Sequence, residues 1–222
     1  MLRLVGFFLP LACALSAASA QGLVLDFESL SVPTADIPTY AEHLEDGMHL
    51  TVVDNTPQTG PTGIIVVGES HPHFFGSTAV MPSSHDALEL EPYGGGGFDV
   101  VGLSLVEHFP REAADPTLMR SMTFTGQKPG GATVSQTFSV DESPGFESFL
   151  FSNAFQGIEK LTWSTADPET WWNKAVRVDD ILIENVIVPE PATSALALAA
   201  LGLPFRRVRD GMRQDTARAC RP

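Results

Sequence analysis

Cysteine is nearly absent. The 222 residues hold 2, Cys13 and Cys220, one near each end, so a disulfide-stapled miniprotein is excluded. The stretch between them must be stable without cross-links, even in a compartment that would permit them. Positive charge is also scarce: 13 Lys and Arg against 27 Asp and Glu give a formal net charge of -14. From Gln21 to Pro191 the imbalance deepens to 25 acidic residues against 6 basic ones, a net of -19. Such a surface opposes nucleic acid and anionic membranes, and favours solubility and cation association. No Gly-x-Ser-x-Gly occurs, and the run Gly94 to Gly97 lacks the Lys-Ser/Thr of a phosphate loop, so it reads as a flexible connection. No repeat recurs at a period of 20 to 50 residues.

What is present divides the chain into four parts: 1–20, 21–187, 188–209 and 210–222. The first carries Arg3, an apolar run from Leu4 to Leu15, and the small residues Ala18-Ser19-Ala20. This is the layout of a cleavable secretory signal, with export through the Sec machinery and signal peptidase cutting before Gln21. A rival lipoprotein reading of Leu11-Ala12-Cys13 has Pro10 where a Leu is usually wanted.

Toward the other end, Val188-Pro189-Glu190-Pro191-Ala192 precedes an apolar stretch to Phe205 and then Arg206, Arg207 and Arg209. Two prolines stop a preceding strand and hold an extended segment. An apolar stretch ending in arginines halts transfer with its basic side in the cytoplasm. At about 1.5 Å per residue, Ala192 to Phe205 covers roughly 21 Å of a hydrocarbon core about 30 Å thick, which is short for a durable anchor. A buried terminal helix is the competing reading, yet no polar face interrupts Ala195 to Leu203.

This three-part order resembles the PEP-CTERM sorting signal of exported bacterial proteins. The resemblance implies cleavage near Pro189-Glu190-Pro191 by an exosortase-type membrane protease, after transient membrane anchoring, and delivery to the cell surface or extracellular matrix. Residues 210–222 then form a cytoplasmic tail.

The central part reads as β-structure nearly throughout. Val134, Gln136, Phe138 and Val140 alternate with Ser135, Thr137 and Ser139, and Met122 to Thr125 does the same upstream, with Gly126 to Ala132 as a hairpin loop. Further strands are predicted at Leu23–Phe27, Met48–Val53, Gly63–Val67, Ala87–Glu91, Phe98–Leu105, Ser148–Phe151, Leu161–Ser164 and Val176–Asn185. Val101, Leu105 and His108 could share a helical face, but β-branched residues and Gly102 favour a strand there. The expectation is an all-β fold with one β-sandwich. Leu25 to Glu28, Gly96 to Leu105, Phe124 to Phe138, Gly145 to Phe149 and Val178 to Ile181 resemble a β-sandwich domain found upstream of PEP-CTERM signals. That resemblance implies a jelly roll of the galactose-binding or carbohydrate-binding-module kind.

Candidate sites are few. Aromatic faces stack on sugar rings, which singles out Trp171 and Trp172 after the turn Asp167-Pro168-Glu169-Thr170, whereas Trp163 sits in a strand and belongs to the core. Asp26 and Glu28 near the start could meet Asp179 and Asp180 near the end around a structural calcium, whose hard oxygen ligands they would supply. His71-Pro72-His73, with His85-Asp86 downstream, could ligate a transition metal if Pro72 holds the pair extended, but exposed loop histidines are the plainer reading. Glu42 with Asp46 could be drawn as an acid and base pair, though in so acidic a chain they read as solvated surface. The function expected is a non-enzymatic structural or adhesive sandwich in the envelope or matrix. The alternatives are a carbohydrate-binding module with its sugar site near Trp171 and Trp172, and a secreted polysaccharide hydrolase.

Overall fold

The computed structural model describes residues 22–33, 37–53, 63–83, 86–107, 120–141, 144–165 and 175–187. The signal peptide, Trp171 and Trp172, and the whole stretch from Val188, with its Pro-Glu-Pro motif and arginines, lie outside these residues. Among the described residues no helix is long and apolar enough to cross a membrane. The chain divides into two units, Met1–Pro189 and Glu190–Pro222, of which only the first contains described residues.

Two antiparallel sheets face each other. The first holds seven strands: β1 (Leu23–Leu25), β2 (Thr39–Tyr40), β5 (Ile64–Val67), β6 (Ala79–Pro82), β8 (Gly97–Glu107), β11 (Glu147–Leu150) and β13 (Val176–Ile187). Its order is β11-β8-β13-β6-β5-β2, with β1 also paired to β13. The second holds β3 (Glu42–Glu45), β4 (Met48–Val53), β7 (Ala87–Pro92), β9 (Arg120–Gln127), β10 (Thr133–Val140) and β12 (Lys160–Thr165), in the order β10-β9-β12-β7-β4-β3. Strands were expected at ten of these positions. The three that escaped, β2, β3 and β6, are short or carry no alternation: Ala79-Val80-Met81-Pro82 is buried throughout, and Glu42-His43-Leu44-Glu45 is mostly polar.

Period two sorts each strand between two faces. Met122, Phe124, Phe138, Phe151, Phe155 and Trp163 point into the space between the sheets. Phe124 stands edge-on to Phe151 at 5.5 Å and 5.8 Å from Trp163, so the aromatic rings interlock across the core. Trp163 is 1% exposed, as its strand placement predicts.

Three local devices fix the frame. Asp46 and Gly47, at φ 47° and 81°, make the two-residue turn that closes the β3–β4 hairpin. Gly102 lets β11 approach β8, because a Cβ there would lie 2.8 Å from the Phe149 carbonyl oxygen. Asp180, at φ 48°, sits in a bulge of β13. On the side away from β8, β13 pairs with β6 before the bulge and with β1 after it.

One open side of the sandwich is stitched by a side chain. The Gln136 amide in β10 donates to the Leu150 carbonyl (3.0 Å) and accepts from the Ser152 N–H (2.9 Å), linking the edge of one sheet to the edge of the other. These backbone groups would otherwise be free to pair with another chain.

Candidate functional site

The outward faces of the two sheets are built differently. On the seven-stranded sheet, Ile65, Val67, Ala79, Met81, Val106, Arg177 and Asp179 alternate with the core residues and are all buried. The segment 68–78 between β5 and β6 packs here. Its Phe75 ring lies 5.3 Å from the Arg177 guanidinium carbon. Arg177 Nη2 donates to the Glu107 carbonyl oxygen (3.0 Å), while Nε and Nη1 find no hydrogen-bond partner among the described residues. Burial lowers the Arg177 pKa to about 10, opposed by the charge of Asp179.

Three of the four expected calcium ligands, Glu28, Asp179 and Asp180, lie close enough here to act on one another electrostatically. Pairing of β1 with β13 brings Glu28 toward Asp179 and Asp180. Asp26 instead accepts the Glu28 N–H (3.1 Å) at the exposed end of the strand. Glu28 clamps the start of β6: Oε1 accepts from Thr78 N–H (2.8 Å) and Ser77 Oγ (3.0 Å), and Oε2 accepts from Thr78 Oγ1 (2.8 Å). Asp179 Oδ1 accepts the Asp180 N–H (2.8 Å), and Ser104 Oγ donates to Asp180 Oδ2 (3.4 Å). Most of the carboxylate oxygens are thus occupied by protein donors, and Asp179 Oδ2 is buried beside them. Burial, assisted by the charges of Asp180 and Glu28 and opposed by a Ser77 hydrogen bond, pushes Asp179 up to about 7. Among the described residues no group of three or more His, Cys, Asp or Glu is arranged to hold a metal ion.

The histidine pair departs from its expected form. His71-Pro72-His73-Phe74 is a turn closed by Phe74 N–H donating to the His71 carbonyl (3.0 Å), because Pro72 presets the second position of a β-turn. The two rings stand 5.4 Å apart, half-buried rather than exposed. Burial lowers the pKa of both, and the nearby Arg177 charge adds to the effect. His85 lies outside the described residues.

The outward face of the six-stranded sheet is open and polar. At its β3 edge a groove of about 550 Å³ is lined by Leu30, Tyr40, Glu42, His43, Leu44, His49 and Tyr93. Both tyrosines of the chain are there. Tyr93 follows β7 directly before the glycine run, so its ring is not packed under a neighbouring strand and is 63% exposed. It meets the His49 ring edge-on at 6.0 Å. His49 Nε2 in turn donates to Glu42 Oε2 (3.0 Å). Glu42 therefore pairs with His49, not with Asp46, which belongs to the hairpin turn.

Beneath this lies a second imidazole. His43 Nε2 is 2.9 Å from Glu45 Oε2 and 3.4 Å from Ser29 Oγ. Acid and hydroxyl contact the same ring nitrogen, whereas a nucleophilic relay needs one on each. The groove can hold and orient a polar ligand against an aromatic ring; its geometry offers no activated nucleophile.

Residue reasoning missed the groove because β3 has no apolar alternation. Asp46-Gly47 ahead of the strand Met48–Val53 is the signal that marks the hairpin, and a tyrosine between a strand and four glycines is the signal for an exposed ring.

No family model and no curated protein matches the chain. Among solved structures it is similar to a mutant of CBM29-2, a family 29 carbohydrate-binding module, at 11% identity and a TM-score of 0.40, over 77% of this chain and 99% of that one. A second solved structure, of a family 29 carbohydrate-binding module, matches at 11% identity and a TM-score of 0.39, covering 78% and 97%. The enzymatically active domain of bacteriophage CBA120 tailspike protein 4 matches at 11% and 0.31, covering 64% and 20%. Likenesses of this degree decide neither ligand nor activity.

Proposed function

We propose that the chain is an exported, non-catalytic sandwich of the jelly-roll kind that binds polysaccharide in the groove of Tyr40, Glu42, His49 and Tyr93. The observation that carries this is the Tyr93 ring. A large aromatic side chain left 63% exposed, steadied edge-on by an imidazole that is itself tied to a carboxylate, offers a flat apolar platform beside oriented hydrogen-bonding groups. Sugar rings combine apolar faces with hydroxyl rims, and this is the chemistry that fits. The site expected at Trp171 and Trp172 falls outside the described residues, and the groove is built from other residues that suit the same chemistry.

Around this module the terminal segments act as addresses. Export uses the stretch ending at Ala18-Ser19-Ala20, and the Pro189-Glu190-Pro191 motif with Arg206, Arg207 and Arg209 directs an exosortase-type protease, leaving the sandwich at the cell surface or in the matrix. The order of motif, apolar stretch and arginines supports this. Mass spectrometry of the mature protein tests it: the expected C-terminus lies near residue 191, and recovery of intact 206–222 on extracellular material would contradict it.

Binding is tested by gel electrophoresis of the full-length protein through soluble polysaccharides. Retardation is expected in at least one. Tyr93→Ala should weaken it about tenfold or more, equivalent to roughly 1.4 kcal/mol, with an unchanged melting temperature. Equal retardation of the variant would remove the groove as the site.

A further inference from the structure

The groove opens onto a face that no strand or helix among the described residues covers. Register places Glu42 opposite Thr51, Thr51 opposite Glu89, Glu89 opposite Thr162, Thr162 opposite Thr125, and Thr125 opposite Ser135. One outward polar residue from each of the six strands therefore falls on a single line across the sheet. At about 4.8 Å between neighbouring strands the line is roughly 24 Å long. It starts at the groove, since Glu42 belongs to both.

At the far end the hydroxyls are arranged in pairs. Oγ atoms of Thr125 and Ser135 are 3.1 Å apart, those of Thr123 and Thr137 are 2.8 Å apart, and those of Ser121 and Ser139 are 2.9 Å apart. Each hydroxyl has one donor and two acceptor positions, so every pair keeps one O–H and several lone pairs for a ligand. The mutual bond also fixes the rotamers in advance, which lowers the entropy lost on binding.

Charge narrows the occupant. Lys160 is held by Glu89 (2.6 Å) and Glu91 (3.1 Å), so its ammonium group is already neutralised. With Glu42 the face carries three carboxylates and no spare cation among its described residues. An acidic polymer would be repelled. A protein partner would need an apolar centre, but the large exposed hydrophobic residues on this face, Leu44 and Tyr93, are confined to the groove end.

We propose that the binding track runs from the Tyr93 groove along the row Glu42, Thr51, Glu89, Thr162, Thr125 and Ser135, and that its occupant is an uncharged polyhydroxylated chain lying across the strands, gripped along its length and not at one end. This rests on the groove reading and extends it. Titration calorimetry on the full-length protein tests it, using neutral glucan, mannan and galactan, with alginate as the acidic comparison, followed by a size-graded series of oligomers cut from the polymer that binds.

Affinity should rise with oligomer length until about 24 Å is spanned and then level off. The triple variant Thr125→Val, Ser135→Ala, Thr137→Val should lose about tenfold in affinity for the long oligomers and nothing for the shortest, while Tyr93→Ala weakens both. Length-independent affinity, or a triple variant that binds long oligomers like the parent, would overturn the track and leave the groove standing. Tighter binding of alginate than of any neutral polymer would overturn the uncharged occupant. Failure of all the neutral polymers to bind would overturn both the track and the groove.

Discussion

The two outward sheet faces of this sandwich have opposite fates. On the seven-stranded sheet the outer residues of β5, β6 and the start of β13 are buried under the chain itself, with Arg177 and Asp179 among them, while Val24 and Leu150 at β1 and β11 stay exposed. On the six-stranded sheet the outer residues are serines, threonines, glutamates and a lysine, and they meet solvent. Burying charge costs stability unless it is well partnered, whereas exposed hydroxyls cost little. The difference teaches that the first face belongs to the structural body and the second is left for something outside.

That contrast yields a graded set of expectations, in which changes on the first face alter stability without altering binding. Glu28→Ala removes the acceptor of three hydrogen bonds that clamp Ser77 and Thr78, and should cost about 2–3 kcal/mol in urea unfolding. Polysaccharide retardation by that variant should be unchanged.

Asp179 makes stability depend on pH. Its carboxyl is held up to about 7 in the folded state against an ordinary 3.8. Below the lower value both states keep the proton. Between the two, the folded form keeps a proton that the unfolded chain loses, so stability falls as pH rises through that window and levels off above about 7. With solvent screening allowed for, the span is about 2 kcal/mol. Asp179→Asn should flatten the profile measured by chemical denaturation from pH 4 to 8; a profile as steep as the parent's would show that another group titrates.

Gln136→Ala removes the stitch between the two sheet edges and leaves the Leu150 carbonyl and Ser152 N–H without that partner. A loss of about 1–2 kcal/mol is expected, together with a greater tendency to associate, readable by light scattering. The smallest effect belongs to the open face. Thr123→Val should change stability by no more than about 0.5 kcal/mol, because its hydroxyl bonds to Thr137 at the exposed surface. A larger loss would place that face with the structural body and break the comparison.

The legible part of this fold was the part where burial alternates. Val134 to Val140 and Met122 to Thr125 announced β10 and β9, and the placement of Trp163 in the core followed from its strand. β6 was hidden because its four residues are buried on both faces and so do not alternate. β3 was hidden because it is a polar edge strand, and the groove went with it. The set Asp26, Glu28, Asp179 and Asp180 was drawn from a tie between the first and last strands, but its geometry depends on which strand pairs with which, and on a bulge at Asp180 that no local pattern marks. The histidine pair shows the reverse error. Pro72 was read as holding the chain extended when it sits at the second position of a turn closed by the Phe74 N–H on the His71 carbonyl.

The most direct test is hydrogen exchange of the full-length protein with and without the polysaccharide that retards it. Protection is expected at Glu42–Glu45, around Tyr93, and along the strands Arg120–Gln127 and Lys160–Thr165. Protection confined to 68–78 and Val176–Ile187, with the open face unchanged, would contradict the assignment of the two faces.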